Sequence, residues 1–281
     1  MKNVKLVTVY ITTKNRKKLL FRCVKSVVKQ TYARIQLIIV DDASEERVGD
    51  YITSCKGIDA LEELIVIRND ISKGACFARN LAIERAKGEF ITGCDDDDYF
   101  HEQRIEKFVS HWDPQYSFLC SEQTSHKEVL SALDSVKFAL LNFLPNKTYT
   151  LADLLTRNLV GNQVFTLTSR LKQESFDVNL SALQDYELWI RLVKIFGSFR
   201  KLTDRLQYID TSHIAPRITN MERRLSGLDY IRHKHGYTKD DFSLLELIWK
   251  AEFNCFLTQK EQNALLKSGL FRFYFRTLLK R

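Results

Sequence analysis

Four consecutive aspartates, Asp95 to Asp98, stand directly after the apolar run Glu89 to Gly93. Adjacent carboxylates repel one another, and such a cluster is best tolerated where a cation neutralises it. Alternate side chains of an extended backbone share a face, so Asp95 and Asp97 are expected to point together. Hard oxygen ligands of this kind suit Mg²⁺ or Mn²⁺, which bind through one or two carboxylates and complete their shell with substrate phosphates. The alternative for the same run is a solvated acidic turn that caps the next helix. Asp41 ends another apolar run, Leu37 to Val40, where it could accept from a base or ribose hydroxyl or cap the following element. Arg16, Lys73 and Arg79 suit diphosphate binding, with ordinary surface charge as the alternative.

The elements needed to position these groups are readable from hydrophobic spacing. Leu6–Ile11 predicts a buried strand, Leu19–Gln30 a helix, Gln36–Val40 a strand, Tyr51–Leu61 a helix, Leu64–Ile67 a strand, Ala75–Ala86 a helix and Glu89–Gly93 a fourth strand. Such alternation means βαβ units, a mainly parallel sheet and helices on both faces. Ligands of open sheets bind beyond the carboxyl ends of the strands. The polar groups Thr13/Asn15/Arg16, Asp41/Asp42 and Asp95–Asp98 stand at those ends. From about residue 101 the pattern loosens. Thr150–Leu159 reads as helical, Asn162–Thr168 as strand-like, Tyr186–Phe196 as an amphipathic helix and Ser198–Ile209 as holding a strand, with helices from Met221 onward.

Of 281 residues, 44% are hydrophobic and 11% aromatic, enough for a packed core and against wholesale disorder. Ten glycines and three prolines exclude a collagen-like or low-complexity chain. The net charge is +8, and six of those charges fall between Lys201 and Arg281. A basic C-terminal third points to an anionic partner, or simply to a solubilising surface. Cysteines at 23, 55, 76, 94, 120 and 255 show neither disulfide-framework nor zinc spacing, which fits reduced thiols in the cytoplasm. The N-terminus lacks the pattern of a signal peptide, and no stretch has the length of a membrane span. Arg272, Arg276 and Lys280 are spaced four apart among aromatics, which suits either a helix lying on an anionic membrane or one packed on the protein's own core.

Taken together, Val7–Arg16 (VTVYITTKNR), Leu37–Ser44 (LIIVDDAS), Asn69–Asn80 (NDISKGACFARN) and Gly88–Asp98 (GEFITGCDDDD) resemble the successive signature blocks of family-2 glycosyltransferases with the GT-A fold. Ala182–Leu192 (ALQDYELWIRL) resembles the family's second acidic motif. The resemblance implies an α/β GT-A domain over residues 1–217, with a nucleotide-binding half (1–100) and an acceptor-binding half (101–217). Residues 218–281 follow as a helical C-terminal extension. It further implies that Thr13 and Asp41 contact the uridine, Arg79 the base or diphosphate, and Asp95 the ribose. Asp96 would lie among the same nucleotide-sugar contacts, Asp97 would bind the divalent metal, and Asp185 would be the catalytic base. His213 resembles a late loop histidine that reaches the metal or diphosphate, a lone histidine being otherwise structural. The sequence departs from the pattern at Thr12, Gln184 and Cys94, where the family commonly has Pro, Glu and a large aliphatic residue.

A carboxylate in reach of an acceptor hydroxyl can take its proton as it attacks the anomeric carbon. That case for Asp185 is independent of the resemblance; capping the helix is its alternative. The expected protein is a cytoplasmic, inverting, metal-dependent transferase, peripheral on the inner face of the plasma membrane, moving a hexose or N-acetylhexosamine from a UDP-sugar to a lipid-linked bacterial glycan. A metal-dependent nucleic-acid-binding or nuclease-type protein is the competing class. Its prediction, a basic stripe, is not met here, so no nucleic-acid partner is expected.

Overall fold

The computed structural model describes residues 4–125, 145–210, 221–253, 255–270 and 273. The chain opens with β1 (Val7–Thr13), α1 (Lys17–Val28), β2 (Ile35–Asp41), β3 (Glu63–Arg68), α2 (Ala75–Arg85) and β4 (Phe90–Asp95). It continues through β5 (Tyr99–Phe100), α3 (Arg104–His111), β6 (Leu119–Ser125), β7 (Lys147–Tyr149), α4 (Leu151–Thr156), β8 (Phe165–Leu167) and α5 (Thr168–Gln173). The final elements are α6 (Gln184–Phe196), β9 (Phe199–Ile209), α7 (Met221–His235), α8 (Ser243–Glu252) and α9 (Gln259–Lys267).

One mixed sheet runs β3-β2-β1-β4-β8-β6-β9-β5, with β7 paired to β9. The parallel pairings are long, the shortest spanning six residues, whereas β4–β8, β5–β9, β6–β8 and β7–β9 are short and antiparallel. Alternation assigns the faces: Val7, Val9 and Ile11 join α1, α3 and the β6 residue Leu119 in one core, while Tyr10, Ile38 and Val40 join α2, α6 and α8 in the other. Burial on both faces is what makes β1 and β2 continuous apolar runs. Register then decides where the site lies. Thr13 pairs with Asp41, Thr12 with Asp95, and Asp41 with Arg68, so the carboxyl ends of four strands share one edge.

The helix expected over Tyr51–Leu61 is absent; three short 3₁₀ turns, Val48–Asp50, Ile52–Ser54 and Ile58–Ala60, take its place. Buried Val48, Ile52, Cys55 and Ile58 keep helix-like spacing, which successive turns satisfy, while Gly57 at φ 87° interrupts any continuous helix. The helix at Thr150 starts in a capping box with Asp153 but stops at Thr156, and the Asn162–Thr168 run is strand only over Phe165–Leu167. Strand β6 and helix α3 were not anticipated. The buried sequence Leu-Cys-Ser-Glu-Gln-Thr-Ser of β6 is too polar to announce itself. Five cysteines are buried, Cys255 is exposed, and none is paired. No helix among the described residues is long and apolar enough to cross a membrane. Helices α7 to α9 do not stand apart: Leu228, Ile231, Ile248, Trp249 and Leu265 belong to the α2/α6 core, with Phe273 packed against it.

Candidate active site

A cleft of about 970 Å³ opens at the shared strand ends. Thr13, Arg16, Arg79, Asp95, Asp96, Asp97 and Asp185, all singled out in the sequence, line it together. Asp41 and Lys73 do not. The Asp41 carboxylate faces its own loop, accepting from the Ser44 and Val48 amides at 2.8 and 3.2 Å and pairing with Arg68. Lys73 lays its ammonium 4.4 Å from the centre of the Phe77 ring. His213 lies outside the described residues.

The four aspartates alternate in burial, Asp96 and Asp98 inside and Asp95 and Asp97 partly open, although their backbone is not an extended strand. Strand β4 ends at Asp95, and the Asp98 amide closes a turn onto the Asp95 carbonyl at 2.9 Å. The turn sorts the carboxylates into two other pairs. Asn162 Nδ2 donates to Asp95 at 2.7 Å and to Asp98 at 2.8 Å. Arg16 Nη1 donates to Asp96 at 2.9 Å and to Asp97 at 3.0 Å. Asp96 and Asp98 turn inward, Asp96 accepting from Thr13 Oγ1 at 2.7 Å and Asp98 from Gln207 and the Asp210 amide. Burial pushes Asp96 up to about 6 against the pull of Thr13 and Arg16. Burial and the nearby Asp95 charge push Asp98 up to about 7. The outer two carboxylates remain partly open, with side chains 26% and 22% exposed at Asp95 and Asp97.

Arg79 enters from α2 and donates to Asp95 at 3.2 Å. Burial works against its charge, but Asp95, Tyr10 and Asp185 outweigh it and raise its proton affinity above the ordinary value. Asp185 sits in the first turn of α6, and the capping position belongs to Leu183, whose backbone is left-handed at φ 63°. Its carboxyl is raised above the usual range, chiefly by burial and also by Asp95, with Arg79 opposing.

Several groups that line the cleft or hold its lining residues in place gave no usable signal in the sequence. Asn162 and Gln163 carry no motif, yet Gln163 donates to Asp95 at 2.9 Å and accepts from the Tyr10 hydroxyl at 3.2 Å. The one available hint was Gly93, where a Cβ would lie 2.0 Å from Gln163 Oε1 and 2.5 Å from the Tyr10 ring. Asp42, neighbour to the expected Asp41, is the one that lines the cleft. It accepts from Asn69, Ser72 and the amides of Lys73 and Gly74 at 2.7 to 2.9 Å, which fixes the turn feeding the N-terminus of α2. Arg22 pairs with Asp210 and donates to the Asp97 carbonyl, bracing the acidic turn from α1.

Residues 8–172, more than half of the chain, match the model of glycosyl transferase family 2. The chain belongs to glycosyl transferase family 2. This family-2 glycosyltransferase is 36% identical over 247 residues to the putative colanic acid biosynthesis glycosyl transferase WcaA of Escherichia coli K12, covering 86% of this chain and 84% of the relative. It is 29% identical over 190 residues to the Escherichia coli UDP-Glc:alpha-D-GlcNAc-diphosphoundecaprenol beta-1,3-glucosyltransferase WfaP, covering 68% and 71% of the two chains. The S. aureus TarS structure in complex with UDP-GlcNAc shares its fold, with a TM-score of 0.63 at 18% identity over 88% of this chain and 71% of that one. Membership makes the protein a glycosyltransferase with a GT-A fold, and closes the nuclease-type alternative.

Proposed function

We propose that the enzyme moves a hexose or N-acetylhexosamine from a UDP-sugar to a hydroxyl of a lipid-linked bacterial glycan, with inversion at the anomeric carbon. The observation that carries this reading is that one cleft holds an arginine-braced acidic turn and, facing Arg79, a carboxyl of raised proton affinity on a different helix. The UDP-GlcNAc bound to TarS, and the UDP-Glc donor and GlcNAc-diphosphoundecaprenol acceptor of WfaP, support the choice of donor and acceptor.

In this scheme Thr13 and Arg16 line the nucleotide pocket, and Asp41 and Asp42 shape its loops. Arg79 and the N-terminus of α2 at Gly74–Ala75 face the diphosphate, where a helix start favours an anion. Asp185 accepts the proton of the attacking hydroxyl; its raised proton affinity brings it nearer the optimum for a base at neutral pH. Attack and departure on opposite faces of the sugar invert the anomeric centre.

The acidic turn fits Mn²⁺ or Mg²⁺. Asp96 and Asp98 are buried and committed, whereas Asp97, with Asp95 beside it, offers partly open hard oxygens to the cleft. A cation held by one or two carboxylates would complete its shell with diphosphate oxygens. Asp97 and, as the family resemblance implies, His213 would hold such a cation, which would stabilise the departing diphosphate.

We place the enzyme in the cytoplasm at the inner face of the plasma membrane, on the strength of its unpaired thiols and basic C-terminal third. Replacing Arg272, Arg276 and Lys280 by Gln should weaken sedimentation with anionic vesicles by about 1 kcal/mol per charge and leave donor hydrolysis unchanged. Unaltered sedimentation would remove the membrane from the scheme.

Asp185→Asn tests the central assignment. Asn keeps the shape of the side chain but cannot take the proton, so turnover should fall about 10²–10⁴-fold while UDP binding with Mn²⁺ holds within a few-fold. Ordinary turnover in this variant would move the base elsewhere.

A further inference from the structure

We propose that Glu187 is a positioning residue for Asp185, holding the first turn of α6 from behind through hydrogen bonds from Arg191, Lys234 and His235; the inference rests on the reading of Asp185 as base. Residues two apart on a helix point to opposite sides. Asp185 faces the cleft, and Glu187 is fully buried on the far side.

Glu187 accepts from Arg191 Nε and Nη2 at 2.9 and 3.0 Å, from Lys234 Nζ at 2.9 Å and from His235 Nε2 at 2.9 Å. Arg191 continues to Glu174 and to the Ser175 carbonyl, both at 2.6 Å, and Lys234 continues to Asp177 at 2.7 Å. The 174–177 loop is itself fixed to α2, since the Asn80 amide donates to the Phe176 carbonyl and accepts from the Phe176 amide, each at 2.8 Å. The cluster therefore ties α6 to α7 and to a loop already anchored beside Arg79.

The start of α6 has need of such a tie. Its capping residue, Leu183, is a left-handed non-glycine and contributes no side-chain cap. Close contact with α7 supplies a second constraint: a Cβ on Gly227 would lie 2.8 Å from the Ala182 carbonyl oxygen. A charge buried this deeply is costly for stability and is retained most readily where it fixes geometry.

The test combines turnover with amide hydrogen exchange. Donors are UDP-glucose and UDP-N-acetylglucosamine, and the acceptor is a GlcNAc-diphospholipid. In Glu187→Gln, and in the milder Lys234→Met should the first variant not fold, kcat should fall about tenfold or more, because misplacement of a catalytic group is costly. The donor KM and the affinity for UDP with Mn²⁺ should stay within about twofold, and exchange at the 185–187 amides should rise about tenfold while β1 and β2 are unchanged. Lys234→Arg should restore the parent values. Added to Asp185→Asn, Glu187→Gln should cost no further turnover, as residues acting as one unit are not additive. Unchanged exchange at 185–187, or rate losses that multiply in the double variant, would overturn the proposal. Ordinary turnover in Asp185→Asn alone would instead refute the base assignment, and the exchange measurement would still decide whether Glu187 holds the helix.

Discussion

Asp42 and Glu187 are both buried carboxylates that accept four hydrogen bonds, but their partners differ in kind. Asp42, in the parallel half of the sheet, takes two bonds from backbone amides and two from neutral side chains within one loop. Glu187, in the C-terminal half, takes all four from basic side chains, Arg191 on its own helix and Lys234 and His235 on α7. Both are held below the ordinary carboxyl range although burial alone would raise them. The parallel half thus builds its part of the cleft from backbone register, whereas the C-terminal half builds Asp185's position from side-chain charge. A strand end can hardly move without breaking a ladder; a helix tied by ion pairs responds to any one of them.

The largest expected effect tests the first side of that contrast. Asp97 stands on a turn whose backbone is fixed by β4 and braced by Arg22, so Asp97→Ala should leave the fold intact. Transfer and metal-dependent UDP binding should both be lost, by about 10³-fold or more if the carboxylate holds the cation that stabilises the leaving group. Calorimetric titration of UDP with and without Mn²⁺ separates the two. A folded Asp97→Ala enzyme with near-parental turnover would leave the acidic turn with a structural role only.

The same contrast explains what could be read from sequence. Strands β1, β2 and β4 announce themselves because both faces are buried, and the half-buried edge strand β3 by its apolar run, and their ends carry Thr13, Asp41 and Asp95 to one edge by register alone. That Asp42 rather than Asp41 would face the cleft depends on how the loop turns after β2, and spacing does not encode it. Asn162, Gln163 and Gln207 reach the acidic turn across 64 to 109 residues of chain, from the segment before the short strand β8 and from the mixed polar strand β9. The role of Glu187 is similarly silent, because its partners on α7 lie 47 and 48 residues away. Asp95 and Asp97 do share the more open side while Asp96 and Asp98 are buried, but a turn rather than an extended strand brings this about, since the strand ends at Asp95.

A smaller effect is expected from acid. Burial would raise Glu187, but the bonds from His235, Arg191 and Lys234 dominate and hold it at about 2, against an ordinary 4.5. A depressed folded-state pKa contributes stability that is complete above the unfolded value and is lost as the pH falls through the folded one. The loss therefore runs from about pH 4.5 down to about 2, and amounts to roughly 3 kcal/mol at about 1.4 kcal/mol per pKa unit. Urea midpoints between pH 5.5 and 3 should fall more steeply in the parent than in Glu187→Gln. Equal slopes would mean that the ion cluster contributes nothing to holding α6.

The smallest effect belongs to Ser72→Ala, the counterpart of Lys234→Met on the other side of the molecule. Each variant deletes one donor to a buried carboxylate. Asp42, just after β2, keeps the amides of Lys73 and Gly74 and the Asn69 side chain, all in the loop between β3 and α2, so the turn before α2 has no reason to shift. A hydroxyl bonded to an ionised carboxylate is worth about 1.5–3 kcal/mol to stability, but three donors remain to hold the turn, so UDP affinity should fall no more than about fivefold, with kcat at saturating donor unchanged. Lys234→Met removes a charge shared between Glu187 and Asp177, and its effect should appear in kcat instead. Measured side by side, the two variants ask whether backbone anchoring makes the parallel half tolerant. A kcat loss in Ser72→Ala as large as that in Lys234→Met would show that the turn before α2 is as finely balanced as the start of α6, and the proposed asymmetry between the halves would not hold.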